Sequence, residues 1–240
     1  MRKNRRLLFI IIVVVLLPLL LFLLYSSDYY RADETAEKAM TGTDQVNVSE
    51  IKEGWLFDGP ENETGMVFYP GGKVEETAYA PLLSKLAENG IDVYLMKMPF
   101  HLVFFGLNKA DDIINAYQYD HWYIAGHSLG GVGAGFYADR NSDRLAGIIL
   151  LASYTTKKMD EDLIMISVYG TEDGVLNREG YQKNLENVSA HFTEHVIKGG
   201  NHAQFGSYGP QKKDKEAKIS APEQVEETVN AIMDAIAGNQ

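Results

Sequence analysis

The sequence has no cysteine, and this absence removes several chemistries at once. Disulfide bonds, thiolate nucleophiles and cysteine-ligated metals are all excluded. The six histidines are scattered without the spacing of metal ligands, so neither a metal nor another cofactor is predicted. A chain without cysteine also suits a protein that works outside the cytoplasm.

Positive charge is scarce outside the N-terminus. The formal net charge is −11, but residues 1–31 hold five basic residues and one acid, which leaves −15 on the remainder. A body with this charge repels polyphosphate and anionic surfaces, so nucleic-acid binding is not expected. With 240 residues, 45% of them hydrophobic, the chain has room for one well-buried catalytic domain.

Charge is absent altogether from the apolar run between Leu7 and Leu24. A helix over these 18 residues would be about 27 Å long, close to the thickness of a hydrocarbon core, and it predicts a transmembrane helix. Because the basic cluster at residues 1–6 should stay cytoplasmic, the chain after Tyr25 is expected outside the cytoplasm, attached to the cell membrane. The exit lacks the small residues of a cleavage site, so an anchor is favoured over a cleaved signal that would release a secreted protein.

Three regions follow from these patterns. Residues 1–27 form the predicted cytoplasmic tip and membrane anchor, residues 28–45 a charged, Ala-rich stalk, and residues 46–240 the catalytic domain. Within the last region, strand patterns alternate with helix patterns. This alternation predicts an α/β fold, with a mostly parallel sheet covered by helices on both faces.

The pentapeptide at residues 126–130 matches G-x-S-x-G, and its surroundings add to the match. A predicted strand ends at Ala125 and a small-residue helix follows directly, so Ser128 lies on a sharp strand-to-helix turn. Such a turn strains the backbone of the serine and requires small neighbours two positions away. The glycines at 130–135 also resemble a dinucleotide-binding loop, but they lie inside the predicted helix. Ser128 is therefore predicted to be a nucleophile.

A serine nucleophile needs a histidine to accept its proton and a carboxylate to orient that histidine. In this arrangement the order along the chain is serine, acid, histidine, each after a later strand. One predicted strand leads into the turn at 170–174, where Asp173 is favoured over Glu172 because Asp before Gly is the commoner geometry. A later strand leads into the loop that carries His202. The other five histidines, including His127 beside the serine, are expected to be structural.

Acyl transfer also needs N–H donors for the negative charge of the tetrahedral intermediate. The first donor of this oxyanion hole is expected to be the backbone N–H of Leu129, directly after the nucleophile. The second is expected in the early strand-to-helix loop at 70–73, from either Gly72 or Lys73. The sequence does not choose between these two.

With these motifs in order, the chain from residue 46 to the C-terminus resembles the α/β-hydrolase superfamily. The segments at 68–74, 97–100 and 199–206 are similar to a small bacterial branch grouped with dienelactone hydrolase (carboxymethylenebutenolidase)-like proteins. Dienelactone hydrolases proper use a cysteine nucleophile, whereas this chain has serine, so their reaction is not expected here. The resemblance implies the fold, the triad and hydrolysis of a carboxylic ester.

The predicted fold has no cap domain, because only residues 152–162 separate the strand after the Ser128 helix from the acid-bearing strand. A shallow, open site suits small-molecule or polymer-borne acyl substrates. The predicted function is a carboxylesterase-like serine hydrolase that acts on an ester, thioester or amide. Two alternatives stay open: an envelope acyltransferase with the same triad, and a non-catalytic binding or scaffold domain on this fold. The oligomeric state is not predicted.

Overall fold

The computed structural model describes residues 11–60 and 63–239. The residues it describes form a sheet of eight strands, in the spatial order β1-β2-β4-β3-β5-β6-β7-β8. The strands are β1 (Asn47–Ile51), β2 (Gly54–Asp58), β3 (Thr64–Tyr69), β4 (Ile91–Met96), β5 (His121–His127), β6 (Gly147–Leu151), β7 (Ile164–Gly170) and β8 (His191–Ile197). Strands β3 to β8 are parallel, and β1 and β2 form an antiparallel edge. The prediction of a mostly parallel sheet is confirmed.

Helices cover both faces of this sheet. In chain order, the α-helices of the described residues are α1 (Leu17–Ser27), α2 (Glu34–Ala39), α3 (Ala80–Glu88), α4 (Ala110–Ala116), α5 (Leu129–Ala138), α6 (Arg178–Lys183) and α7 (Ala221–Ala237). Leu83 of α3 and Ile232 of α7 belong to the apolar core on one face. Ile113 of α4 and Tyr137 of α5 belong to the core on the other. Strands covered on both faces read as continuous apolar runs, and β3, β4 and β6 are buried along their whole length.

The connections place the strand ends that matter for function. In a parallel sheet the carboxyl ends of the strands lie at one edge, and the loops after β3, β5, β7 and β8 therefore come together. Residues 152–163, between β6 and β7, contain neither helix nor strand, so the connection where many lipases carry a cap is a plain loop.

The N-terminal apolar run is helical where it is described, with a π-helical stretch at Ile12–Leu16 followed by α1. Its side chains are largely exposed, Val14 by 64% and Leu24 by 58%. None of the helices within residues 11–60 and 63–239 combines the length and the apolar character needed to cross a bilayer. The transmembrane helix predicted over 7–24 is thus without structural support, and residues 1–10, which include the basic tip, lie outside the described residues.

Candidate active site

Ser128 lies on the turn between β5 and α5, as the pentapeptide predicts. Its backbone angles, φ 53° and ψ −119°, fall in a region that non-glycine residues adopt only when the surroundings hold them there. The N–H of Ser128 donates to the carbonyl of Leu151 at 2.9 Å. The hydroxyl of Ser153 donates to the carbonyl of Ser128 at 2.7 Å. These two bonds hold the strained turn from the side of β6.

Gly126 and Gly130 are required because at this turn other backbone atoms occupy the place of their missing side chains. A Cβ at Gly126 would lie 2.4 Å from the carbonyl carbon of Gly130, and a Cβ at Gly130 would lie 2.1 Å from the carbonyl oxygen of Tyr69. Neither contact is relieved by rotating a side chain. The spacing of glycines around Ser128 therefore has a steric origin in this fold.

Asp173, in the loop after β7, and His202, in the loop after β8, are hydrogen-bonded to each other. Nδ1 of His202 lies 2.9 Å from Oδ2 of Asp173, and both side chains are buried. The other oxygen, Oδ1, accepts the N–H groups of Val175 at 2.8 Å and Leu176 at 2.7 Å. Burial by itself raises the pKa of the Asp173 carboxyl, but the bond from His202 and these two N–H donors outweigh it and keep that pKa below its ordinary value. The carboxylate is thus ionised, and Nδ1 of His202 is the donor.

The competing acid, Glu172, is directed elsewhere. Its carboxylate contacts Nζ of Lys218 at 2.6 Å near the surface, away from the imidazole of His202. The choice of Asp173 over Glu172 thus agrees with the geometry. Nε2 of His202, the nitrogen that a serine base must supply, is buried and has no hydrogen-bond partner within the described part of the chain. It is therefore available to accept a proton.

His127 links the Ser128 turn to the loop after β3. It is fully buried, and its ring centroid lies 4.5 Å from that of His202. The N–H of Gly71 donates to the hydroxyl of Tyr79 at 2.9 Å, and that hydroxyl lies 2.8 Å from Nδ1 of His127. Burial, then the neighbouring His202, keep the pKa of His127 well below its usual value, so its ring is neutral. That His127 is structural stays a prediction, and its contact with Tyr79 is one that sequence reasoning missed.

The loop after β3 distinguishes the two candidate oxyanion donors. The N–H of Lys73 already donates to the carbonyl of His101 at 2.8 Å. Gly72 lies directly against Leu129, since a Cβ there would come 2.7 Å from Cδ2 of that leucine. Leu129 is the first residue of α5, where backbone N–H groups have no partner within the helix. The geometry therefore favours the pair Leu129 and Gly72 over Lys73.

A segment assigned to the stalk contacts this same loop. Tyr30 donates its N–H to the carbonyl of Lys73 and accepts from the N–H of Glu75, both at 2.8 Å, in a parallel bridge to Val74. Nζ of Lys73 also lies 3.3 Å from Asp28. We call residues 28–33 the N-terminal strap. Sequence reasoning missed it because the bridge at Tyr30 is made by backbone groups, which leave no motif.

Comparison with known proteins agrees with this architecture. A family model described as the alpha/beta hydrolase family matches residues 65–226. The chain belongs to the α/β-hydrolase family. No curated protein matches it significantly.

Three solved structures illustrate the likeness in fold. A predicted CIB-like hydrolase from Thermoplasma acidophilum is 14% identical with a TM-score of 0.59, over 79% of this chain and 99% of that one. Est1E from Butyrivibrio proteoclasticus is 15% identical with a TM-score of 0.55, over 81% and 100%. Alpha/beta hydrolase domain-containing protein 10 from mouse is 11% identical with a TM-score of 0.59, over 81% and 99%.

The family match supports a hydrolytic enzyme but does not identify which reaction it catalyses. The solved structures, at such low identity, establish the fold alone. Neither they nor the family model confirm the dienelactone hydrolase-like branch or the serine nucleophile, and both remain predictions from the sequence.

Proposed function

We propose that this protein is a serine hydrolase that cleaves a carboxylic ester, thioester or amide through an acyl-enzyme intermediate. The observation that carries the proposal is the combination of a strained Ser128 on the β5–α5 turn with a buried His202–Asp173 pair whose Nε2 is unused. A strained backbone costs stability, and a buried carboxylate bonded to a histidine is common at catalytic sites, so their occurrence together supports a catalytic role.

The roles follow from the positions. Nε2 of His202 takes the proton of Ser128 as Oγ attacks the substrate carbonyl, and Asp173 holds the imidazole in the required tautomer. The N–H groups of Leu129 and Gly72 stabilise the oxyanion, a contribution of about 2.7–4 kcal/mol per donor in comparable sites. The proton then passes from His202 to the leaving group. Water, deprotonated by the same histidine, releases the acyl group from Ser128.

The substrate class is proposed from the short connection between β6 and β7. The plain loop at 152–163 places no cap over the carboxyl ends of β5 and β7. We therefore propose small-molecule or polymer-borne acyl groups as substrates.

Burst kinetics test the acyl-enzyme route directly. The full chain is mixed with p-nitrophenyl acetate and p-nitrophenyl butyrate, with Ser128→Ala as the inactive control. We expect a burst of p-nitrophenol equal to the enzyme concentration, followed by slower turnover, because acylation and deacylation are separate steps. Turnover that persists in Ser128→Ala would rule out the proposed nucleophile.

Attachment to a membrane is a separate proposal, supported by the sequence: the uncharged run at 7–24 and the basic cluster before it. It is tested by washing membranes of expressing cells with sodium carbonate. The full chain should stay in the membrane pellet, whereas a variant with Leu16→Arg and Leu20→Arg should be released from it. Release of the unaltered chain would contradict the attachment.

A further inference from the structure

The structure assigns a positioning role to Asp214, whose carboxylate joins the acid-bearing loop to the histidine-bearing loop. The role rests on the proposed function, because it concerns the pair formed by Asp173 and His202. Asp214 lies on the segment between the His202 loop and α7, and no sequence motif marks it.

The carboxylate contacts the residue directly after each member of the pair. Oδ1 of Asp214 accepts the N–H of Gly174, the residue after Asp173, at 2.9 Å. Oδ2 accepts the N–H of Ala203, the residue after His202, also at 2.9 Å. One rigid, planar group therefore sets the distance between the two loops at the points where the catalytic side chains leave the backbone.

The surrounding bonds hold Asp214 and the histidine loop in place. Oδ1 of Asp214 also accepts the N–H of Lys215 at 3.0 Å, and the carbonyl of Lys215 accepts from the side chain of Asn201 at 2.8 Å. On the other side of the loop, the buried side chain of Gln224 accepts the N–H of Asn201 at 2.9 Å and donates to its carbonyl at 2.8 Å. The backbone before His202 is thus fixed by Gln224, and the backbone after it by Asp214.

We call this carboxylate, with its bonds to Gly174 and Ala203, the Asp214 clamp. The clamp acts on the geometry of the bond between His202 and Asp173. The bond between His202 and Asp173 is short and buried, so a small displacement of one loop lengthens it or turns the imidazole away from Ser128. A misplacement of about 1 Å at a catalytic group costs on the order of 100-fold in rate. The carboxylate of Asp214 needs both oxygens for this role, since each one serves a different loop.

Two substitutions of Asp214 separate geometry from charge. Asp214→Asn keeps the shape of the side chain but replaces one oxygen by an NH2 group. The backbone N–H that faces this NH2 group loses its hydrogen-bond acceptor. Asp214→Glu keeps the charge but moves both oxygens by a methylene length. Asp160→Asn is the matched control, because Asp160 also accepts a backbone N–H and a second group, from Asp162 and Ser142 at 3.1 Å each, in a loop away from the site.

The readouts are the rate at which a fluorophosphonate labels Ser128, the thermal midpoint, and the low-field proton resonance of Nδ1 in His202. We expect labelling to slow on the order of 10- to 100-fold in both Asp214 variants. We also expect the low-field resonance to shift or broaden, at a temperature where both variants remain folded. Asp160→Asn should match the unaltered chain in both readouts.

Unchanged labelling and an unchanged resonance in Asp214→Asn would overturn the clamp. A normal labelling rate in Asp214→Glu would also overturn it, because it would show that charge alone matters. An equal loss of labelling rate in Asp160→Asn would overturn it as well. If the unaltered chain is not labelled at all, the proposed function fails. The resonance then tests the clamp independently, since it reports the bond between His202 and Asp173 without any reaction.

Discussion

The two sides of Ser128 are held in place in different ways. On the acid–base side, Asp173 and His202 are 4% and 1% exposed, and their loops are bonded to one another and to nearby chain. On the oxyanion side, the loop around Gly72 is held in part from outside, by the N-terminal strap at 28–33. The strap lies outside the family-matched region at 65–226. The proposed acid–base pair thus lies within the family-matched region together with the groups that hold it, whereas the proposed oxyanion loop is also bonded to a segment outside that region.

The largest effect is expected on the acid–base side, from Asp173→Asn. The amide cannot hold the imidazole of His202 in the tautomer that accepts a proton from Ser128, and comparable changes in serine hydrolases lower turnover about 10⁴-fold. Steady-state ester hydrolysis measures the loss of turnover. Glu172→Gln is the control, because Glu172 contacts Lys218 at the surface. Equal losses in the two variants would contradict the assignment of the acid.

The same substitution tests the buried charge through stability. Because the pKa of Asp173 is lowered on folding, its contribution is fully present above the unfolded value of about 3.9 and is lost as the pH falls through the lower folded value. The unfolding free energy of Asp173→Asn should be lower by about 1.5–3 kcal/mol. Denaturant titrations should give a constant difference from pH 7 to about pH 5. A difference that grows as the pH falls within this range would mean that the folded pKa is raised instead.

A smaller effect is expected when the strap is altered. Tyr30→Pro removes the N–H that donates to Lys73 and should loosen the oxyanion loop, which lowers the rate of ester hydrolysis about tenfold. Tyr30→Ala is the control, because it loses the ring but keeps the backbone bridge. Both variants lose the hydroxyl of Tyr30, which accepts the N–H of Lys212 at 3.0 Å, so the low-field resonance of His202 is recorded in each to separate an effect on the acid–base side from one on the oxyanion loop. Equal rates in the two variants would show that the backbone bridge is dispensable.

The smallest effect is expected at the surface of the strap. The ion pair between Asp28 and Lys73 joins a side chain that is 92% exposed to one that is 21% exposed. Exposed pairs contribute about 0–1 kcal/mol and are screened by salt. Asp28→Asn should therefore change the hydrolysis rate by no more than about twofold, and less at high ionic strength. A larger loss would mean that the side chain, and not the backbone of the strap, holds the loop.

The sequence predicted the parts of the site that depend on local pattern. Ser128 is marked by glycines whose positions have a steric cause, and Asp173 and His202 each follow a strand in the expected order. The same reasoning predicted the parallel sheet, because covered strands read as apolar runs. In each case the physical constraint acts on residues that are close together in the chain.

The features of the site that the sequence did not predict depend on contacts between segments that are distant in the chain. Gly72 and Lys73 could not be separated, because the difference is a carbonyl of His101 that occupies the N–H of Lys73. The strap is joined through backbone groups at Tyr30, which every residue carries. Asp214 is one of two acids in the charged segment at 211–218, and only its bonds to two loops distinguish it.

The most direct test of the central claim is to treat the full chain with a fluorophosphonate and locate the label by mass spectrometry, beside folded Ser128→Ala. We expect one label per chain, on the peptide that carries Ser128, and none in the variant, because only a serine whose proton His202 accepts reacts readily. A folded chain that takes no label, or takes it equally in Ser128→Ala, would contradict the account.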